Sequence, residues 1–452
     1  MKIIICGCGK VGSTILSSLA AEGHDVVAID SDPAVIDSIT NIHDVMGVSG
    51  NCADCGTLDE AGVDKAELFI AVTGSDELNM LSCFIAGKMG ATHTIARIRN
   101  PQYNDRSLGF MRQQLGLSMS INPELLAAQE LFNILKFPSA VKLETFSRRN
   151  FAMIELRLRD DSPFAGVKLS ELRARFGAKF LICTVQRGED VYIPDGNFEL
   201  KAGDKIGLTA AVPEIQKLLK SMGIAQKKAK DIMILGGSRT AYYLARMLIN
   251  TGSNVKIIEQ DPVVCEELCE ALSKSAVIIQ GDGTYQELLL EEGLTSMDAF
   301  VSLTGMDEEN ILLAFFASSQ NVPKVIAKIS RDELATMAER LGLETKVSPK
   351  NIVSDVIVQY ARALENSLGS PVETLYKLND GAAEALEFIV NGESKITGIP
   401  LKELRTKSGI LIAGIFRDRK PIVPAGDDMI MPGDRVIVIA AGQRLRDLSD
   451  IV

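Results

Sequence analysis

The segment KIIICGCGKVG at residues 2–12 decides the fold of this chain. Its apolar run IIIC predicts a short buried strand of a parallel sheet. The helical spacing of apolar residues over 11–21 then predicts a helix. Gly7, Gly9 and Gly12 lie between the strand and the helix, where glycines let the backbone turn tightly and approach a phosphate group. The segment therefore predicts the first half of a Rossmann-type nucleotide-binding domain.

An acidic residue at the end of the next predicted strand supports a nucleotide site. Asp30 follows the first glycine by about 20 residues, the spacing at which an acid hydrogen-bonds the hydroxyl groups of a ribose. A carboxylate there disfavours a 2′-phosphate, so the pattern favours NAD or ADP/ATP over NADP. Thr73 and Gly74 close the fourth predicted strand, and Asn51 and Cys52 follow the third. Such sheets bind ligands at the carboxyl edge that these strand ends share, so all four residues are candidates for the same site.

The opening segment returns later in the chain. Residues 231–241 read DIMILGGSRTA, and the landmarks that follow them keep the order of the first copy. Glu259 corresponds to the acid Asp30, and Thr304-Gly305 corresponds to Thr73-Gly74. A basic residue at the end of the fifth predicted strand also recurs, as Arg97 in copy one and Lys328 in copy two. The second halves repeat as LSEL at 169–172 and LKEL at 401–404, each followed by a Gly-Asp pair. We therefore predict two tandem copies of one unit.

Copy two departs from the glycine pattern. Gly236 keeps the first glycine, Ser238 replaces the second and Ala241 replaces the third. An alanine is tolerated at the third position, whereas Ser238 adds a side chain where the backbone should meet a phosphate. Glu259 keeps the ribose acid, and Asp282 is a further candidate at the end of the third strand. The sequence leaves open whether copy two binds a ligand, and a ligand there is expected to bind more weakly or in a different geometry.

The order of elements predicts the domains. Strands alternate with helices in the first part of each copy, which predicts a Rossmann-like, doubly wound parallel sheet. Short strands separated by turns predict a small α+β module in the second part. A long helix joins the two parts, and the sequence leaves open whether it is a core-facing helix or a dimer-forming crossover. A short basic linker at 226–230 joins the copies. The predicted ranges are Rossmann domains at 1–122 and 229–348, crossover helices at 123–139 and 349–369, and C-terminal modules at 140–225 and 370–452.

Composition excludes several classes of function. Of 452 residues, 46% are hydrophobic and 24% are charged, as in an ordinary globular protein, and the formal net charge is −11. An acidic chain lacks the basic surface that binds nucleic acid or anionic lipid, so we expect neither partner. No stretch reaches the ~18–20 apolar residues of a membrane-spanning helix. We therefore expect a cytosolic protein with no direct membrane insertion, which can still dock on a membrane protein.

Groups suited to catalysis are scarce in this sequence. The histidines His24, His43 and His93 are interpreted as surface or turn residues, because none pairs with an obvious carboxylate motif. Of the eight cysteines, only Cys52 and Cys55 have metal or redox spacing, and the lack of a second pair makes chance the better interpretation. We expect no metal site and no enzyme, but a sensor whose ligand shifts a conformational equilibrium. An NAD-dependent oxidoreductase and an assembly scaffold with vestigial sites are the alternatives.

The motifs taken together resemble those of the TrkA family, the cytosolic regulatory subunits of Trk-type potassium uptake systems. The resemblance covers the whole chain as two RCK nucleotide-binding domains, each followed by an RCK C-terminal module. It rests on Gly7–Gly12, Asp30, the TGSDELN segment at 73–79, Ile95-Ala96-Arg97 and the two LxEL modules.

The resemblance implies binding of NAD(H) and of ATP/ADP, and assembly as a homo-oligomer, either a dimer or a ring of tandem chains. It also implies docking beneath a membrane potassium-translocating subunit of the Trk or Ktr type, so that the chain is cytoplasmic and peripheral on the inner face of the membrane. Arg97 and Lys328 could neutralise phosphates. The site residues that it implies are Gly7, Cys8, Gly9, Lys10, Val11, Gly12, Asp30, Thr73, Gly74 and Arg97 in copy one, and Gly236, Glu259, Thr304, Gly305 and Lys328 in copy two.

Overall fold

The computed structural model of the chain contains two parallel and two antiparallel sheets, arranged as two copies of one unit. It describes residues 1–103, 105–136, 142–146, 151–223, 229–272, 275–343, 345–365, 372–418 and 420–452. Most of the predicted linker at 226–230 lies outside these residues, as do the ends of both predicted crossover stretches.

The first Rossmann domain is a six-stranded parallel sheet in the order β3-β2-β1-β4-β5-β6. Its strands are β1 Lys2–Cys6, β2 Asp25–Asp30, β3 Met46–Ser49, β4 Leu68–Ala71, β5 His93–Arg97 and β6 Met119–Ile121. Its helices are α1 Lys10–Ala21, α2 Pro33–Ile42, α3 Cys55–Glu60, α4 Asp76–Met89 and α5 Asp105–Leu115, and α6 Pro123–Lys136 follows. Successive residues of β1 point to opposite faces, so Ile3 and Ile5 join the apolar cluster under α1, whereas Ile4 and Cys6 join the one under α4.

The first C-terminal module is a five-stranded antiparallel sheet in the order β10-β9-β11-β8-β7. Its elements are β7 Lys142–Phe146, β8 Phe151–Arg157, α7 Leu169–Phe176, β9 Phe180–Arg187, β10 Asp190–Tyr192, β11 Lys205–Ala211 and α8 Val212–Ser221. The helices cover one face of the sheet, where Leu172, Ile215 and Leu218 are buried with Ile154 and Leu208.

The second Rossmann domain repeats the first, with the parallel order β14-β13-β12-β15-β16-β17. Its strands are β12 Asp231–Leu235, β13 Asn254–Glu259, β14 Ala276–Gln280, β15 Ala299–Ser302, β16 Lys324–Lys328 and β17 Lys346–Val347. Its helices are α9 Arg239–Asn250, α10 Pro262–Leu272, α11 Gln286–Glu291, α12 Asp307–Ser319 and α13 Asp332–Arg340, and α14 Pro349–Glu365 follows. The two sheets confirm the predicted doubly wound fold of each copy.

The second C-terminal module has the antiparallel order β18-β19-β22-β20-β21. Its strands are β18 Val372–Leu378, β19 Ala383–Ile389, β20 Ile410–Arg417, β21 Lys420–Ile422 and β22 Arg435–Ala441. Among its described residues the segment that corresponds to α7 forms turns, and the chain ends in a 3₁₀ helix at Leu448–Ile451. The two modules face each other, and the Thr209 hydroxyl donates a hydrogen bond of 2.8 Å to the Ala413 carbonyl.

Each crossover helix packs on the Rossmann domain of the other copy. Helix α14 of copy two lies along α1 of copy one, where Val353 and Ile357 share an apolar cluster with Leu16. The Ser354 hydroxyl donates a hydrogen bond of 2.8 Å to the Ser18 hydroxyl in the same contact. Helix α14 is therefore core-facing, as one of the two interpretations predicted, and it joins the two copies within one chain.

Helix α6 makes the reciprocal contact with α9. Ala128 and Leu131 of α6 are buried with Leu244 of α9. At the start of α6, the Asn122 amide donates a hydrogen bond of 3.1 Å to the Tyr243 hydroxyl. The two copies therefore pack within one chain as the subunits of a dimer with exchanged helices would.

Within the described residues, no helix is both long enough and apolar enough to cross a membrane.

A buried ion cluster holds α14 in this position. The Arg362 side chain, 4% exposed, forms bonds of 2.8 and 2.9 Å with Glu22, at the end of α1, and of 2.9 and 3.0 Å with Glu384 on β19. One guanidinium thus joins the first Rossmann domain, the second crossover helix and the second C-terminal module.

Candidate nucleotide sites

The glycine loop of copy one forms the end of β1. Gly7 has φ +88°, a conformation that L side chains rarely adopt, and a Cβ there would lie 2.7 Å from the Thr73 backbone. A Cβ on Gly12 would lie 1.9 Å from the Gly7 carbonyl oxygen, so the helix can approach the loop only with glycine there. A Cβ on Gly9 would meet no atom within 4 Å. Gly7 and Gly12 are thus required by packing, whereas Gly9 faces open space, as a ligand-approach position should.

Asp30 fastens this loop from the end of β2. Its Oδ2 accepts a hydrogen bond of 2.7 Å from the Cys8 amide, and its Oδ1 accepts one of 3.0 Å from the Asp32 amide. Cys8 contributes backbone only, because its side chain is buried; burial and the charge of Asp30 raise the pKa of its thiol to about 12. Lys10 and Val11 begin α1, whose free amides point toward the loop. The acid predicted from sequence therefore lies against the phosphate loop.

The Thr73-Gly74 turn is held by a residue that the sequence analysis quoted but did not assign. Asn79 is fully buried, and its Oδ1 accepts hydrogen bonds of 2.8 Å from the Thr73 amide and 2.7 Å from the Thr73 hydroxyl. Its Nδ2 donates a bond of 2.9 Å to the Arg97 carbonyl. The Arg97 guanidinium in turn donates to the Thr73 carbonyl. Asn79 thus locks the ends of β4 and β5 together beside the site.

Asp76 has a similar role one turn earlier in α4. Its Oδ2 accepts hydrogen bonds of 2.8 Å from the backbone amides of Arg99 and Asn100. In copy two, Asp307 does the same for Ser330 and Arg331. The repetition of Thr-Gly-x-Asp-Glu-x-Asn in both copies was the sequence signal that could have identified these positions.

Asn51 and Cys52 lie beyond the end of β3. The Asn51 Oδ1 accepts a bond of 3.0 Å from the Ala53 amide, which fixes the turn. The pKa of Cys52 is lowered to about 7, chiefly by the nearby Cys6 thiol and also by the Ser82 hydroxyl, which donates to the Cys52 sulfur over 3.2 Å. Cys52 is buried whereas Cys55 is exposed, so the two do not form a common site. In the parts of the chain that the structure describes, no group of three His, Cys, Asp or Glu side chains could hold a metal ion.

Copy two has an open cavity at the matching edge, with a volume of about 360 Å³. This volume lies within the usual range of small-molecule sites. Gly236, Glu259, Asp282, Thr304 and Gly305 all line the cavity, so the structure brings together the predicted residues of copy two except Lys328.

A carboxylate holds the loop of copy two by a hydrogen bond, as in copy one, with one difference in the loop itself. The Glu259 carboxylate accepts a hydrogen bond from the Gly237 amide, the counterpart of the bond between Asp30 and the loop of copy one. Ser238 serves as the N-cap of α9, and its hydroxyl accepts a bond of 3.4 Å from the Ala241 amide. The side chain that the sequence analysis treated as an obstacle to phosphate thus also caps a helix.

Two buried cations, Arg97 and Lys328, are affected by charges of the other copy. Burial lowers the pKa of Arg97, the charge of Arg99 lowers it further, and the charge of Arg239 beside the other copy's loop adds a smaller effect. Burial also lowers the pKa of Lys328, and the charge of Lys10 in copy one adds to the effect. Glu124, at the start of α6, acts on both groups in the opposite direction. The charge of the residue that begins the helix after each loop therefore acts on the buried cation of the other copy.

The histidines lie away from this edge, and one prediction about them is wrong. His24 does lie at a turn before β2, but it is buried, and its Nδ1 is 3.3 Å from Glu365 Oε1. Burial lowers its pKa. Local sequence patterns do not reveal the carboxylate partner of His24, because that partner comes from α14, more than 300 residues along the chain. His24 is at the amino end of its strand, opposite the nucleotide edge.

Family models match both parts of each copy. The TrkA-N domain model matches residues 3–123 and 232–349, and the TrkA-C domain model matches residues 153–223 and 385–452. The Trk system potassium uptake protein TrkA homolog of Archaeoglobus fulgidus is 30% identical over 451 residues, which cover 100% of both chains.

Solved structures share the fold. The structure titled GsuK channel bound to NAD has a TM-score of 0.61 at 18% identity, and the match covers 98% of this chain and 77% of that one. The structure titled GsuK bound to ADP has a TM-score of 0.50 at 14% identity, with 79% and 68% covered. The duplicated TrkA-N and TrkA-C domains and the full-length match place this chain in the TrkA family.

Proposed function

We propose that the chain is the regulatory subunit of a potassium uptake system, and that it senses adenine nucleotides, NAD(H) or ATP/ADP, at the Rossmann edges. The observation that carries the proposal is the pair of loops, each of which donates a backbone hydrogen bond to an acid at the ribose position. The relative from Archaeoglobus fulgidus is named for potassium uptake, which supports the same role for this chain.

The acids at the ribose positions support the choice of ligand. Asp30 and Glu259 stand where ribose hydroxyls bind in Rossmann domains, and a carboxylate there disfavours a 2′-phosphate. NAD(H) and ATP/ADP are therefore better ligands than NADP. Solved structures of the same fold are named as GsuK bound to NAD and GsuK bound to ADP, which supports both ligand classes.

The buried cations Arg97 and Lys328 suggest how a ligand acts. Arg97 and Lys328 have lowered pKa values because burial disfavours their charged forms. Phosphate groups at the loops would bring negative charge toward these cations and would stabilise the arrangement that holds them close. Ligands with different numbers of phosphates would stabilise it to different extents, and only such a difference can shift a conformational equilibrium.

A partner in the membrane completes the proposal. The chain would dock from the cytoplasm on a potassium-translocating subunit, and changes between the two Rossmann domains would gate potassium flow. Because one chain already contains two copies, a ring of these chains would need half as many subunits as a ring of single-copy chains.

Ligand binding and turnover test the sensing role. Calorimetry on the full chain should detect NAD, NADH, ADP or ATP, while the chain should leave NADH unconsumed in the presence of small carbonyl substrates. Catalytic consumption of NADH would contradict a sensor and favour an oxidoreductase. Failure of all four nucleotides to bind would contradict the nucleotide sites.

A further inference from the structure

A buried histidine of copy one lies against the last turn of the crossover helix of copy two. The side chain of His24 is 2% exposed, and its Nδ1 is 3.3 Å from the Oε1 of Glu365. Glu365 ends α14, one turn after Arg362. The contact between His24 and Glu365 therefore joins the two copies at the amino end of the first parallel sheet, beside the ion cluster of Arg362.

The second ring nitrogen of His24 is buried and unpartnered. Among the residues that the structure describes, none forms a hydrogen bond with Nε2. Because Nδ1 faces a carboxylate, we assign the hydrogen of the neutral ring to Nδ1 and the lone pair to Nε2. A second proton would create an N–H group at Nε2 that has no acceptor, and an unsatisfied buried donor costs free energy. The geometry therefore favours the neutral ring.

Charges of both signs act on the ring of His24. Glu365 of α14 and Glu22, which follows α1, favour the protonated form. The Met1 amine, 3.7 Å from the same Glu365 oxygen, and Arg446 near the end of the second C-terminal module oppose it. Burial is the largest effect, and with these two cations it outweighs the carboxylates, so the pKa of His24 is lowered.

The direction of this shift fixes the effect of acid. A histidine whose folded pKa is lowered stabilises the folded contact while the ring is neutral. That stabilisation is complete above the unfolded pKa, about 6.5, and it is lost as the pH falls from there toward the folded value. The loss occurs above the range in which ordinary carboxyl groups titrate, so the two effects can be separated.

We propose that His24 and Glu365 form an acid-sensitive latch, which holds the end of α14 on the first Rossmann domain at neutral pH and releases it when His24 is protonated. Because α14 joins the two copies, a fall in pH would loosen one side of their contact. Ser253 takes the matching place before β13 and does not titrate, so this position gives the α6 contact no such response. The inference does not depend on the nucleotide sites, which lie at the opposite edge of the sheet.

Hydrogen exchange on the full chain, measured by mass spectrometry, tests the latch. Protection factors, which correct for the intrinsic effect of pH on exchange, would be compared at pH 7.5 and 5.5 for peptides from the end of α14. In the wild-type chain protection should fall about fivefold, because pH 5.5 lies about one unit below the ordinary pKa of histidine. In His24→Gln, whose side chain cannot become charged, the fall should be less than about twofold.

His93→Gln is the matched control. His93 also reaches α14, where its Nδ1 is 3.5 Å from the hydroxyl of Tyr360, but this partner carries no charge that a carboxylate would supply. The variant should therefore keep the wild-type fall in protection. A histidine that only fills space at position 24 would leave the protection of α14 the same at both pH values.

Glu365→Gln provides a second test that leaves the histidine in place and applies even if His24→Gln does not fold. It removes a charge that favours the protonated ring, so the pKa of His24, followed by the NMR signals of its ring, should move further down. An absent fall in the wild-type chain, an undiminished fall in His24→Gln, a fall abolished by His93→Gln, or a His24 pKa that Glu365→Gln leaves unchanged or raises would overturn the inference.

Discussion

At the scale of single residues, the acid at the end of the second strand has two tasks. Asp30 and Glu259 each accept a hydrogen bond from a loop amide, so each fixes the loop before any ligand arrives. Each also stands where the ribose hydroxyls of a nucleotide are expected. Loss of the acid should therefore loosen the loop and remove a charged acceptor at the same time.

Asp30→Ala should weaken NAD and ATP binding at copy one by about 1.5–3 kcal/mol, roughly ten- to a hundredfold. It should also reduce discrimination against NADP, because the carboxylate no longer repels a 2′-phosphate. Calorimetry measures both effects. Asp32→Ala is the control, since Asp32 caps α2 through the Ala34 amide and should cost about 1 kcal/mol of stability without changing affinity. Unchanged affinity in Asp30→Ala would count against the assigned site.

The exchange of Gly9 and Ser238 tests the asymmetry between the copies. A side chain at Gly9 would meet no atom within 4 Å, and Ser238 contributes only a long cap bond of 3.4 Å, so neither exchange should cost more than a few tenths of a kcal/mol. Gly9→Ser should weaken phosphate binding at copy one, whereas Ser238→Gly should strengthen it at copy two. Thermal unfolding would report the stability and calorimetry the affinity. A crystal structure with one nucleotide in the same pose and occupancy in both wild-type copies would refute the asymmetry.

Residues at strand ends could be predicted from sequence because parallel strands bring their carboxyl ends to one edge. Gly7, Asp30 and Thr73 are such residues, and they lie together. The roles of Asn79 and Asn310 could not be predicted, because the hydrogen bonds of a buried asparagine depend on which backbone groups the fold brings around it. Asn310 repeats the bonds of Asn79, with 2.9 Å to both the Thr304 amide and the Lys328 carbonyl.

At the scale of elements, the sequence predicted the crossover helices but not where they pack. Their apolar spacing indicates a buried face without indicating which copy covers it. Local patterns also could not predict the ion cluster of Arg362, because its partners Glu22 and Glu384 lie on two other elements. Contacts between distant segments are therefore the part of this fold that local patterns left undetermined.

Arg362→Ala should destabilise the chain by about 3–5 kcal/mol, because it leaves two mostly buried carboxylates without their cation. Denaturant unfolding would measure the loss. Lys402→Ala is the control: its ion pair with Asp427 is exposed and should contribute less than about 1 kcal/mol. A loss in Arg362→Ala no larger than in the control would show that the cluster does not hold α14.

The same cluster predicts a dependence on pH. Burial raises the pKa of Glu22, but the hydrogen bonds and charge of Arg362 lower it more, so the net shift is downward. A carboxyl group with a lowered folded pKa stabilises the protein above its unfolded pKa, about 4.3, and that stabilisation is lost as the pH falls through the folded value. Glu22→Gln should therefore flatten the loss of stability below about pH 4.3. An equally steep loss in the variant would assign it to other groups.

At the scale of the whole molecule, the repeat in the sequence predicted two copies, and the structure packs them as a dimer within one chain. The exchanged helices α6 and α14 mean that neither Rossmann domain is covered by its own copy alone. We therefore expect the two proposed nucleotide sites to be coupled through the helices that the copies exchange. A typical coupling of 1–3 kcal/mol would change the affinity of one site by about 5- to 150-fold when the other site is occupied.

Potassium flux tests the central claim most directly. Vesicles that contain the membrane potassium-translocating subunit would be assayed with and without the full chain, in the presence of ATP, ADP, NAD or NADH. The account predicts that flux depends on the chain and differs severalfold between nucleotides, and that Asp30→Ala reduces the difference while leaving docking on the subunit intact. If no nucleotide changes the flux, while the purified chain consumes NADH with a small substrate, the regulatory account is contradicted.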